Sequence, residues 1–184
     1  MILKVTLAAA LVAGGVGLMA PIALAASGTD GCVATSIQAV PAGCKSPVGT
    51  GGEALPGADQ AVARALRLVG SHGYYQLCAR LAANIWGRPR AGYFSAAEQW
   101  HQMVATGNAH PGDRQPPTGA LVFWETGGPY GHVAVYVGDG RIVSNDVGDA
   151  VAGEGGVYLV PFGLIESKWG ATYLGWTPPI YSST

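Results

Sequence analysis

Gly131-His132-Val133-Ala134-Val135-Tyr136-Val137-Gly138-Asp139-Gly140-Arg141-Ile142-Val143-Ser144-Asn145-Asp146 is the stretch on which the fold turns. Residues 131–137 are a short apolar run rich in β-branched side chains, the pattern of a buried strand. Gly138-Asp139-Gly140 tolerates positive φ and closes a hairpin. Residues 141–146 then return antiparallel. Upstream, Pro116-Pro117-Thr118-Gly119 punctuates the chain, and residues 120–124 make another buried strand. Downstream, residues 156–161 and 171–176 supply two more.

The segment before these strands follows a different period. Ala61, Ala65, Leu66, Leu68 and Val69 fall on one helical face, with Arg64 and Arg67 outside it and Gly70 as the stop. Residues 74–86 read as a second helix, in which Leu77, Cys78, Leu81, Ala82 and Ile85 share an apolar side before Gly87 and Pro89 end it. Ser95 and Glu98 have the spacing of a capping box and start a third helix that runs to about residue 105. Helices first and antiparallel strands afterwards imply an α+β domain, with N-terminal helices packed on one side of a small antiparallel β-sheet.

The 184 residues suit one domain with a real core. With 49% hydrophobic and 11% charged residues the chain is not a disordered acidic or basic protein, and a net charge of -1 gives no basis for nucleic-acid binding. Residues 1–25 read as a Sec-type secretory signal peptide. Lys4 precedes an apolar run, Pro21 breaks it, and Ala23-Leu24-Ala25 offers a small-x-small cleavage site near Ala25. The expected destination is the extracellular space or cell wall, with no membrane association after signal removal. Residues 26–57 are rich in Gly, Ala, Ser and Pro and read as a loosely ordered extension. Residues 58–184 form the folded domain.

In an oxidising compartment Cys32 and Cys44 are expected to pair across a small loop. That leaves Cys78 unpaired, either a buried inert thiol or a reactive one. Its position early in a helix favours the second reading, because unpaired N–H groups and the dipole there stabilise a thiolate. His132 opens a strand, after a glycine that lets backbone or substrate come close. Asp146 lies across the hairpin, where a carboxylate would hold an imidazole's tautomer. Cysteine, histidine and a polar third residue together make an acyl-transfer triad.

An unpaired cysteine on an early helix, then Gly-Ala-Leu-Val-Phe-Trp over residues 119–124, then the stretch quoted first, resembles the papain-like NlpC-type and CHAP cysteine hydrolases. Members of those families are mostly cell-wall peptidases and amidases. The resemblance covers about residues 58–176 and is most specific over 119–146. It implies a papain-like fold, Cys78 as nucleophile and His132 as general base, with the cleft between helix and sheet. NlpC-type enzymes carry His, Asn or Gln twelve residues after the base; here Ser144 stands there, a poor orienter. Asn145 points to the other face of a regular strand. Asp146 is therefore the expected third member, and Asn145 the alternative if the strand bulges.

Tyr74 and Tyr75 either line the cleft or pack in the core, and Glu125 either reads a cationic substrate group or is simply solvated. His72 reads as a loop histidine. Trp86, Trp100, Trp124, Trp169 and Trp176 suggest core more than a sugar-stacking platform. His101 and His110 have no metal-ligand spacing, and no nucleotide-binding motif is present, so neither a metal nor a cofactor is expected. The expected activity is a secreted cysteine peptidase or amidase, acting as a monomer on the stem or cross-bridge peptides of peptidoglycan. An acyltransferase using the same thioester, a non-catalytic wall-interaction module and an antibacterial toxin are the other readings.

Overall fold

The computed structural model describes residues 53–182. The proposed signal peptide, the Cys32–Cys44 pairing and nearly all of the 26–57 extension lie outside these residues. Ten elements follow in order: α1 (Ala58–Leu68), α2 (Cys78–Ile85), α3 (Ala96–Ala105), β1 (His110–Pro111), β2 (Leu121–Glu125), β3 (His132–Gly138), β4 (Arg141–Asn145), β5 (Val157–Pro161), α4 (Leu164–Trp169) and β6 (Thr172–Thr177). The strands form one antiparallel sheet in the order β1-β6-β2-β3-β4-β5. The fold is α+β, as the periodicities predict. The sheet is not a simple meander, because β6 returns to lie between β1 and β2.

Alternation along the strands divides the core between two faces. Phe123, Val133, Val135, Val143 and Val157 pack with Ala61, Ala65, Leu81, Ala82, Ile85 and Trp100 of the first three helices. Val122, Trp124, Ala134, Tyr136 and Ile142 cluster on the opposite face with Ile165 of α4 and with Tyr173 and Trp176. Helices therefore cover both sides, not one. The six-residue α4 is too short to show a helical period, so only its tertiary burial defines it.

Two local signals behave as their chemistry dictates. Asp139 and Gly140 have φ of 51° and 67°, which makes the β3–β4 connection a two-residue turn with both central residues left-handed. Ser95 Oγ accepts from Glu98 N–H at 3.1 Å and caps α3. The Glu98 carboxylate reaches back one residue further than a standard capping box and accepts from Phe94 N–H.

The chain ahead of α2 is held from a distance. Gly70 N–H donates to Val157 O and Val157 N–H to Ser71 O, both at 2.9 Å. Tyr74 N–H donates to Gly155 O, also at 2.9 Å. Gly155 has φ of +61°, and a Cβ there would run into the backbone nitrogens of Tyr75 and Tyr74. Gly155→Ala should therefore combine left-handed strain with a backbone collision. We expect it to destabilise the fold by roughly 2–4 kcal/mol, seen as a lower melting temperature.

Candidate active site

The second helix begins at Cys78, four residues later than its apolar periodicity suggests. Gln76 has a left-handed backbone, φ 54°, which prevents helix before Leu77. Cys78 is thus the first helical residue. Leu77, the N-cap, offers no side-chain acceptor, so the orphan N–H groups of the first turn stay available. Gln76 is held in its conformation by Asp146, whose Oδ2 accepts from Gln76 N–H at 2.9 Å.

The partly buried Cys78 and the buried His132, 5% exposed, line one cleft of about 870 Å³. The backbone N–H of Val133, one residue past the histidine, lies close enough to the sulfur to favour its ionised form. Burial raises the thiol above its ordinary pKa, and the nearby Asp146 carboxylate pushes the same way. The N–H groups of Val133 and Ala79 pull it down but do not win. The expected thiolate is therefore not the resting form, because desolvation outweighs the helix terminus. Burial also lowers His132 to about 3, so its imidazole is neutral too.

His132 Nε2 lies 2.8 Å from Ser144 Oγ. The Ser144 hydroxyl donates to Asn145 O at 3.3 Å. With its hydrogen given to Asn145 O, the Ser144 oxygen can accept from His132 Nε2–H, an arrangement that leaves the lone pair on Nδ1. Trp169 stands edge-on against the imidazole, with centroids 4.9 Å apart and planes at 89°. Gly131 admits the approach behind the histidine. A Cβ there would lie 3.1 Å from Trp124 O and 3.3 Å from Ala97 N, so the close neighbour is protein backbone.

Asp146 does not face the histidine. The same-face argument holds through β4, but that strand ends at Asn145, and Asp146 turns left-handed with φ 64°. Its Oδ2 accepts from Gln76 N–H and from Asn145 Nδ2–H at 2.8 Å. Asn145 donates its other amide hydrogen to Tyr74 O at 2.7 Å, and its buried Oδ1 has no hydrogen-bond partner, so it does not bond His132 either. The imidazole partner is Ser144, which residue type alone discounts. Its signal was the twelve-residue spacing.

Tyr75 lines the cleft, whereas Tyr74 does not and donates its hydroxyl to Asn84 Oδ1 at 3.0 Å. Glu125 is exposed, pairs with Thr172 and lies outside the cleft lining. Trp100, Trp124 and Trp176 are buried, as expected. Trp169, 36% exposed at the cleft, is the tryptophan that core packing does not account for. His72 is exposed, and His110 stacks on Trp176 with centroids 3.6 Å apart. Among the described residues no group of three His, Cys, Asp or Glu side chains could hold a metal ion, and no helix is long and apolar enough to cross a membrane.

Two outcomes test this site. Ser144→Ala should free the imidazole to exchange tautomers, read as loss of the Nε2–H form in ¹⁵N spectra, and cut turnover by up to about 10²-fold. Between pH 6.5 and about 3 the unfolded chain binds a proton at His132 that the folded chain refuses. Stability from this group is therefore complete above pH 6.5 and falls on acidification, by roughly 1.4 kcal/mol per pH unit. His132→Gln should flatten the melting temperature between about pH 7 and pH 4.5.

No curated protein matches the chain. The family model described as CHAP domain matches residues 69–146. That span runs from the clamped segment before Cys78, through the cysteine and the histidine, to the last residue of the cleft network. Residues 69–146 of this chain match the model of the CHAP domain, a papain-like family of peptidoglycan hydrolases.

Proposed function

We propose that the protein is a secreted cysteine hydrolase that cuts amide bonds in the peptides of bacterial peptidoglycan. The observation that carries this reading is the convergence of Cys78 and a His132 hydrogen-bonded to Ser144 on one cleft within the segment that the CHAP model matches. The apolar run and Ala-x-Ala site of residues 1–25 support export.

In this mechanism substrate binding expels water, and His132 Nδ1 takes the Cys78 proton as sulfur attacks the amide carbon. The carbonyl π pair moves onto oxygen, where the free N–H groups at the start of α2 are the donors at hand. Collapse breaks the C–N bond, and the imidazolium returns its proton to the departing nitrogen. Water then attacks the thioester with Nδ1 taking its proton, and sulfur leaves and is reprotonated. Neutral partners fit a concerted transfer better than a standing ion pair, and they place the gain in the transition state. His132 stays unprotonated well into the acid range, so the base is ready wherever the fold persists.

Incubating the mature protein with purified peptidoglycan and weighing the fragments identifies the bond. Cys78→Ala should lower release by roughly 10³-fold or more while the melting temperature stays close to that of the parent. Equal release by Cys78→Ala would remove the hydrolase reading. Added amine appearing in the products would mark an acyltransferase.

A further inference from the structure

The cleft holds charges that the acyl-transfer chemistry does not use. Besides His132, its charged lining residues are Arg80, Arg90 and Asp146. Asp146 is engaged by Gln76 N–H and by the Asn145 amide. Arg80 lies in the first turn of α2 and Arg90 in the loop that follows it, and both are exposed. Arg64, Arg114 and Arg141 each donate to a protein oxygen, at 3.5, 3.0 and 3.3 Å, whereas Arg67 and Arg88, outside the cleft, do not. Neither cleft arginine has an acceptor among the described residues, where the one ion pair is Arg114–Glu166. The Glu98 carboxylate accepts from Phe94 N–H.

The loop that carries Arg90 also carries Phe94, 84% exposed, which pairs with Tyr130, 60% exposed, at a centroid distance of 5.9 Å. Both rings line the cleft. Rings this exposed gain little in the unliganded protein. Covered by a ligand, they would exclude water from beside a guanidinium and strengthen any ion pair it makes.

We propose that Arg80 and Arg90 form an anion subsite that takes a free carboxylate of the bound peptide, with Phe94 and Tyr130 shielding it. This rests on the hydrolase reading for its substrate class. An amide bond is neutral, so two guanidinium groups without protein partners select for a charge elsewhere on the ligand, and their planar forks suit a carboxylate. The carboxylate is either the peptide C-terminus or a side-branch acid. Asp146, bonded to the segment before Cys78, leaves the negative charge with the residues on the other side of the nucleophile in sequence.

The test uses the full mature chain carrying Cys78→Ala and measures binding by calorimetry. The probes are a synthetic stem peptide with all carboxylates free, its C-terminal amide, and its side-branch carboxamide. One of the two caps should weaken binding roughly tenfold to a hundredfold and so identify the recognised acid. Arg80→Gln with Arg90→Gln should lower affinity for the free acid to that of the capped peptide and leave the capped peptide unchanged. Equal affinity for acid and amides, equal weakening of all probes by the arginine changes, or no binding of any probe overturns the subsite. Inorganic phosphate displacing the peptide only in the arginine-intact protein would mark the same anion site, while phosphate binding without peptide discrimination overturns the carboxylate assignment. Discrimination in binding, together with no release from peptidoglycan by the protein with Cys78 intact, would defeat the hydrolase reading and leave the subsite standing.

Discussion

The packing of α2 on β3 brings the start of the helix, at Cys78, to the start of the strand, at His132 and Val133. Most of the site follows from this. With the helix start pinned there, the unpaired N–H groups of the helix, the thiol and the imidazole open on the same cleft. The apolar side of α2 holds the arrangement through Leu81, Ala82 and Ile85, which pack on Val133, Val135 and Val143. A shift along the helix would disturb core and site together, since tightly packed interiors move as discrete units.

The polar residues around the cleft divide the labour by distance. Ser144 touches the imidazole; Asp146 and Asn145 hold the backbone ahead of the cysteine. Asp146 acts on Cys78 chiefly by fixing Gln76, and its charge works against a thiolate. This explains why a carboxylate beside the cleft need not orient the histidine: its Oδ2 is committed to two other donors, and its buried Oδ1 bonds nothing.

The hairpin was legible because a short apolar run rich in β-branched side chains leads directly into a Gly-Asp-Gly turn. The third helix was legible because Ser95 and Glu98 state their capping in residue type. The start of α2 was not, since nothing in glutamine announces a left-handed backbone; that conformation is imposed by Asp146 from 70 positions away. Residues 154–157 clamp the same segment yet carry no catalytic signature, so only the folded chain shows their bearing on Cys78. Ser144 was underrated for a related reason. A hydroxyl is ambiguous between donor and acceptor, and the Asn145 carbonyl that resolves it is a feature of local geometry.

An uncharged sulfur that shares a cleft with an uncharged imidazole has a second effect. Peroxide and related oxidants attack thiolates, and a thiol kept protonated by burial presents little of that form. A nucleophile ionised only in the presence of its target would keep its lowest oxidation state between encounters, which favours a long working life wherever reductants are scarce.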